Sequence, residues 1–293
     1  MPIRRLGLFG NPGKPEIAAA VAEVAACCQR AGVPLLAAAD LAEFAPGVTI
    51  VGEDELPDRC DVMVAFGGDG TMLRAARTIG HRATPLLGIN LGSLGYLTDV
   101  PSAELAASLD QLFAGAYSVT ERTRIRGRVR RDGRDIVELE ALNDLVVNMG
   151  PLPRALLMEV RIDQVTLGRF LGDGLIVSTP TGSTAYNLSA GGPIVHPGVR
   201  GFVVTPICPH SLAIRPLLIP EDKTVELRFA DVGQGATLTA DGQAACSVAS
   251  GDVIHYGRGE HPVRLVKFPH SDFFLAMRHK LQWGAIQRRS TGE

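Results

Sequence analysis

The apolar residues follow two different patterns along the chain, and the change lies near residue 118. Before it, runs that are apolar throughout alternate with segments whose apolar residues recur at helical spacing. The runs at 3–10, 33–39, 61–66 and 85–90 predict buried strands, and the segments at 14–32, 71–80 and 101–115 predict helices. Strands without polar alternation are typical of a parallel sheet covered on both faces. We therefore predict a Rossmann-like α/β domain over residues 1–115.

The second pattern is a period of two, which is typical of half-buried β-strands. It runs from 118 to 170 and returns in short runs up to 268, and Asp132-Gly133 is a predicted hairpin turn. The fold class predicted for the whole chain is thus α/β plus all-β, with a β-sandwich-like domain over 116–270. Helical spacing returns at 271–284. We expect the helix and tail over 271–293 to pack back on the first domain, and capping of the second domain is the alternative.

Composition narrows the classes of function. A net charge of -2 over 293 residues gives no basic excess, which argues against a nucleic-acid partner. The five cysteines form no C-x-x-C pair, and this usage favours a reduced, cytoplasmic protein. No apolar stretch reaches membrane-spanning length, so no membrane partner is expected.

The stretch FGGDGT, residues 66–71, follows the apolar run DVMVAF. A glycine-rich turn between a strand and a helix can bind phosphate, because its backbone N–H groups point outward and no Cβ blocks the approach. A tight turn without a ligand is the alternative interpretation, and three glycines with an acid favour the ligand. Because an acid beside phosphates is repelled, Asp69 must bind Mg²⁺ or accept a proton. This pattern indicates phosphoryl transfer to a hydroxyl group.

A second unusual stretch, residues 172–197, reads GDGLIVSTPTGSTAYNLSAGGPIVHP. It is rich in glycine and hydroxyl residues, and it contains one aromatic residue, Tyr186. Short hydrogen-bonding side chains beside a flat ring are what a nucleoside pocket requires. A long surface loop is the alternative, but the internal order is too specific for a linker.

These two stretches resemble the NAD kinase family. NLGSLGYLTD, LNDLVV, PICPHSL, RPLLIP and DGQ complete the set, in the order of the bacterial branch and over about residues 5–284. The resemblance implies transfer of a phosphoryl group from ATP, or from polyphosphate, to the adenosine-ribose 2′-hydroxyl of NAD, with Mg²⁺. It also implies a homodimer or homotetramer and a site between the two domains.

The resemblance also assigns roles to residues. Asp69 would accept the proton from the ribose hydroxyl and help to hold Mg²⁺. Gly68, Gly70 and Thr71 would cradle phosphates, and Arg74 would meet phosphate charge.

The remaining implied roles concern NAD. Asn143 would bind the adenine and Asp144 a ribose hydroxyl, although the residues alone favour a β-bulge pair that satisfies backbone groups. Gln243 would lie near the nicotinamide end, and Arg154 is a second candidate for phosphate contact. The other implied NAD-site residues are Asp173, Thr184, Ala185, Tyr186, Asn187, Leu188 and Ser189.

Several alternatives stay open at this point. Lipid and sphingoid kinases carry close relatives of GGDGT, and a non-catalytic NAD sensor could keep the whole pocket. Leu171 stands where relatives more often have Arg or His, so the sequence does not decide between NAD and NADH.

Overall fold

A computed structural model describes the chain over residues 3–92, 95–150, 154–233 and 235–282. The chain divides into two compact units. One is formed by Met1–Thr120 with Arg264–Glu293, and the other by Glu121–Val263.

The described residues form twenty strands and seven α-helices. The strands are β1 (Leu6–Gly10), β2 (Leu35–Ala37), β3 (Thr49–Ile50), β4 (Val62–Gly67), β5 (Leu86–Asn90), β6 (Val100–Pro101), β7 (Ser118–Arg122), β8 (Ile125–Arg131), β9 (Arg134–Ala141), β10 (Asp144–Met149), β11 (Leu156–Ile162), β12 (Val165–Gly172), β13 (Gly174–Ser178), β14 (Gly201–Ile207), β15 (Leu217–Pro220), β16 (Val225–Asp231), β17 (Ala236–Ala240), β18 (Gln243–Val248), β19 (Val253–Arg258) and β20 (Val263–Lys267). The helices are α1 (Ile17–Ala31), α2 (Ala39–Ala42), α3 (Leu56–Arg59), α4 (Asp69–Ile79), α5 (Leu105–Phe113), α6 (Tyr186–Ser189) and α7 (Phe273–Leu281). None of these helices is long and apolar enough to cross a membrane.

The first unit is built on one sheet with the strand order β3-β2-β1-β4-β5-β20-β7, and β6 pairs with β5. Every neighbouring pair from β3 to β20 is parallel. All residues of β1, β4 and β5 are buried, which explains why these strands lack polar alternation. Ile17, Val21 and Val24 of α1 enter the same core. The predicted α/β class is confirmed.

The strand β20 was expected in the all-β domain, but it belongs to the parallel sheet of the first unit, where Leu265 lies opposite Leu86. Its side chains Val263, Leu265 and Val266 are buried. A five-residue strand has no feature in its own sequence that identifies the sheet it joins, so the pattern alone could not place it.

The second unit consists of two six-stranded sheets, β15-β14-β13-β10-β17-β18 and β12-β11-β16-β19-β8-β9. Inward side chains of both sheets share one core, as with Leu145 of β10 and Ile125 of β8. Asp132 and Gly133 join β8 to β9 with φ values of 49° and 76°, which a two-residue hairpin turn requires. This unit is the predicted all-β sandwich.

Candidate functional site

The turn after β4 is shaped by Gly67, whose φ is 156°. A Cβ atom at this position would overlap the side chain of Thr71, so the turn itself requires glycine here. The next glycines differ. A Cβ at Gly68 or Gly70 would meet no atom of the described residues within 4 Å. Packing among the described residues therefore does not explain these two glycines, and the bare backbone leaves room for a ligand to approach closely.

Asp69 is the first residue of α4, and its carboxylate is held by three donors. The backbone N–H groups of Tyr96 and Leu97 donate to its two oxygens at 3.0 Å each. The Lys280 ammonium donates to Oδ2 at 3.1 Å. The carboxylate is thus fixed in orientation, while the Asp69 side chain remains 30% exposed.

The segment that supplies those N–H groups is packed closely against Asp69. A Cβ atom at Gly95 would overlap both the Asp69 carboxylate and the Thr98 hydroxyl. The Gly95 N–H also donates to Thr98 Oγ1 at 3.2 Å. Gly95 is therefore required by the orientation of Asp69.

Arg74, which was expected to meet phosphate, is engaged elsewhere in the first unit. Its guanidinium donates to the carbonyl of Gly10 at the end of β1 and lies 4.4 Å from the centroid of the Phe9 ring. The side chain therefore ties α4 to β1.

The second unit contains a pocket of about 370 Å³ at the ends of β10 and β17. Its lining includes Tyr186, which is 42% exposed, and the polar residues Asn143, Asp144, Asn148, Thr239 and Asp241. Acceptors, amides and an exposed ring are therefore brought together, although of the stretch 172–197 only Ala185 and Tyr186 line this pocket.

Two carboxylates of this pocket have different environments. Asp241 accepts backbone N–H groups of Leu142 at 3.0 Å and Asn143 at 2.7 Å, and the buried Arg124 guanidinium is attracted to it. Asp144 is only 4% exposed. Burial, with repulsion from Asp241 as the smaller effect, raises the pKa of Asp144 to about 7. The pocket therefore holds a carboxyl group that titrates near neutral pH.

The polar segment before and within α6 makes buried internal hydrogen bonds, which the sequence did not indicate. Asn187 is completely buried. Its amide donates to the carbonyls of Ser183 and Pro193 at 3.0 Å each and accepts from Thr205 Oγ1 at 2.6 Å. All its polar atoms are thus used inside the protein, which leaves no side-chain hydrogen bond for NAD.

The other expected residues are dispersed within the second unit. Ala185 lines the pocket, whereas Thr184, Leu188, Ser189, Asp173, Gln243 and Arg154 do not belong to its lining. Asp173 interacts with the thiol of Cys208. Arg154 packs its stem beside Gly233.

Within the described ranges, no group of three or more His, Cys, Asp or Glu residues could hold a metal ion. A single partly exposed carboxylate, Asp69, lies beside the open glycine turn. This arrangement fits an ion that arrives with a nucleotide, because Mg²⁺ commonly takes one or two carboxylates together with substrate phosphates.

A parallel α/β unit with a glycine–aspartate turn and an all-β unit with a polar pocket are features of a nucleotide-binding phosphotransferase. Comparison with known families identifies which one. Residues 6–117 match the ATP-NAD kinase N-terminal domain, and residues 142–268 match the ATP-NAD kinase C-terminal domain. The chain belongs to the NAD kinase family.

Individual relatives agree with this assignment. The chain is 38% identical to an NAD kinase of Geotalea daltonii over 96% of this chain and 99% of that protein. It is 40% identical to an NAD kinase of Moorella thermoacetica over 98% and 92%. The match over both domains decides against the lipid-kinase alternative.

Two solved structures have the same fold. A crystal structure of yeast NADH kinase complexed with NADH has a TM-score of 0.90 at 26% identity, covering 99% of this chain and 91% of that one. An NAD kinase from Archaeoglobus fulgidus in complex with ATP has a TM-score of 0.75 at 25% identity, covering 94% and 99%.

Some site residues were missed from the sequence. Asp241 stands in the DGQ motif, in which the resemblance implies a role for Gln243 alone. Gly95 and Tyr96 stand in NLGSLGYLTD, where the two glycines were a usable signal. Lys280 lies 211 residues from Asp69, and nothing local to it points to that partner.

Proposed function

We propose that this protein transfers the terminal phosphoryl group of ATP to the 2′-hydroxyl of the adenosine ribose of NAD. The observation that carries the proposal is Asp69, a carboxylate held by two backbone N–H groups at the start of a helix beside open glycines. Polyphosphate as an alternative donor rests on the resemblance alone.

Asp69 acts as the proton acceptor in this proposal. Its orientation is already fixed in the protein, so little further entropy is lost in positioning the base when substrate binds. A carboxylate need only take the hydroxyl proton late, after bonding to the transferred group has begun. Backbone N–H groups near Gly68, Gly70 and Thr71 would hold phosphate oxygens at the start of α4.

The pocket of the second unit would hold the dinucleotide. Asn143 has amide and carbonyl groups for the adenine, and Tyr186 has an exposed face for stacking. Asp144 would bond a ribose hydroxyl, as acceptor when ionised and as donor when protonated.

Mg²⁺ would be held by Asp69 together with the phosphates of the bound nucleotide. When bound, it would neutralise phosphate charge. We expect the activity to require a divalent cation and to be lost on chelation.

The test is formation of NADP⁺, detected with an NADP-specific dehydrogenase after incubation with NAD⁺, Mg²⁺ and either ATP or polyphosphate. Wild-type protein should give signal, and Asp69→Asn should lower kcat on the order of 10²- to 10⁴-fold while NAD⁺ binding is kept. Asp110→Asn, an exposed acid on α5, is the matched control. Binding of NAD⁺ without any NADP⁺ formation would favour the sensor instead.

Two further expectations belong to this proposal. All five cysteines are free, which supports a reducing compartment such as the cytoplasm. A homodimer or homotetramer is expected from the resemblance, and light scattering coupled to size-exclusion chromatography would measure it.

A further inference from the structure

The last helix of the first unit, α7, contributes no buried residue to the core. It is capped by Asp272, whose carboxylate accepts N–H groups of Phe274 and Leu275 at 2.7 and 2.9 Å. The Phe273 ring lies 6.3 Å from the ring of Tyr96, measured between centroids. Core packing is therefore not what this helix supplies.

The last turn of α7 instead contacts Asp69, the carboxylate that is proposed to accept the proton. The Lys280 ammonium lies 3.1 Å from Asp69 Oδ2 and 4.5 Å from the centroid of the Tyr96 ring. Tyr96 also donates its N–H to the same Asp69 oxygen. One cation thus contacts both the acid and the residue that orients it.

The contact between Lys280 and Asp69 places a positive charge beside the negative charge of the site. A carboxylate beside a phosphate-binding turn repels the ligand that the turn is built to bind. A lysine ammonium is a compact positive charge with three N–H donors, so it can bond Asp69 and retain donors for other groups. The side chains of Lys280 and Asp69 are 29% and 30% exposed, so solvent screens the pair only in part.

We propose that Lys280 is a positioning residue for phosphoryl transfer. Its ammonium keeps Asp69 in the observed orientation and offsets the negative charge of that residue beside the phosphates. The inference rests on the proposed function, since it assigns Lys280 to the same site. NAD itself is bound by other residues, so loss of Lys280 acts on turnover rather than on NAD affinity.

Three substitutions separate this role from a structural one. Lys280→Met keeps the apolar stem on Tyr96 and removes the charge, whereas Lys280→Arg keeps the charge. Arg278→Met removes a charge from the same turn of α7 and is the matched control. Each full-length variant is assayed for NADP⁺ formation with NAD⁺ and Mg-ATP, and its thermal unfolding midpoint is measured.

For Lys280→Met we expect kcat to fall on the order of 10- to 100-fold, the range typical when a group that orients a functional side chain is removed. The KM for NAD and the unfolding midpoint should stay near wild type. Lys280→Arg should recover most of the lost kcat, and Arg278→Met should behave as wild type.

Several results would overturn the proposal. A wild-type kcat for Lys280→Met would show that the contact is incidental, and an equal loss in Arg278→Met would reduce it to a general charge effect. A higher kcat for Lys280→Met would mean that the lysine competes with substrate. These outcomes require an active wild-type protein. An inactive wild type would instead overturn the proposed function, and this inference with it.

Discussion

Replacing Asp144 by Asn removes a buried ionisable group without changing its size, and we expect the protein to become more stable at alkaline pH. Asp144 is 4% exposed, and among the described residues no hydrogen bond to its carboxylate is found. Its pKa is raised from the ordinary 3.8 to about 7 by burial and by Asp241. Ionising it in the folded protein is therefore costly.

The expected magnitude follows from that pKa. A tenfold change in proton affinity is worth about 1.4 kcal/mol, so a pKa of about 7 instead of 3.8 costs the folded state about 4 kcal/mol once the group is ionised. Below about pH 4 Asp144 is protonated in both the folded and the unfolded protein, so it does not lower the free energy of unfolding. Between pH 4 and 7 the unfolded chain ionises first, so the free energy of unfolding falls as pH rises. Above pH 7 Asp144 is ionised in both states, and the free energy of unfolding has fallen by the full amount.

The assay is urea unfolding of wild type and Asp144→Asn from pH 5 to 8.5. The free energies of unfolding of the two proteins should differ least at pH 5. The variant should become increasingly more stable than wild type up to about pH 8. Asp163→Asn is the control. Asp163 is exposed, its pKa is lowered chiefly by its hydrogen bond to Lys223, and its left-handed φ of 47° suits Asn. A difference between wild type and Asp144→Asn that does not change with pH would refute the reasoning.

Three further substitutions test the site in other ways. Gly95→Ala should abolish most NADP⁺ formation because its Cβ would displace the Asp69 carboxylate, whereas Gly92→Ala, whose Cβ meets nothing within 4 Å among the described residues, should not; equal activities would contradict the packing argument. Tyr186→Ala should raise the KM for NAD about 10- to 100-fold with little change in stability, since stacking on a base is worth about 1–3 kcal/mol. An unchanged KM would remove the stacking role. Asn187→Ala should lower the free energy of unfolding by about 2–4 kcal/mol through its three internal hydrogen bonds, measured by urea unfolding. A change confined to KM would show that Asn187 contacts NAD after all.

Local pattern was enough to predict most of the fold. Burial on both faces explains the apolar runs of β1, β4 and β5, and burial on one face explains the alternation of β8. Each pattern can be recognised from a few neighbouring residues. The sheet joined by β20 was not readable, because it depends on pairing with a strand about 180 residues earlier in the chain.

The same distinction applies to the candidate site. Asp69 and the open glycines could be found from one hexapeptide, because phosphate binding by a turn is a local property of the backbone. The orientation of Asp69 and the ionisation of Asp144 are not local properties. Asp69 is held by Tyr96, Leu97 and Lys280, and the pKa of Asp144 is raised by burial and, to a smaller extent, by Asp241.

These distant partners also place two carboxylates of one protein in different environments. Asp69 accepts hydrogen bonds from three N–H donors, and its side chain is partly exposed. Asp144 is buried beside another acid, which favours its neutral form. A neutral carboxyl can donate a hydrogen bond, and it adds no negative charge to a pocket proposed to receive an anionic dinucleotide. The environment of each acid thus depends on residues far from it in the chain.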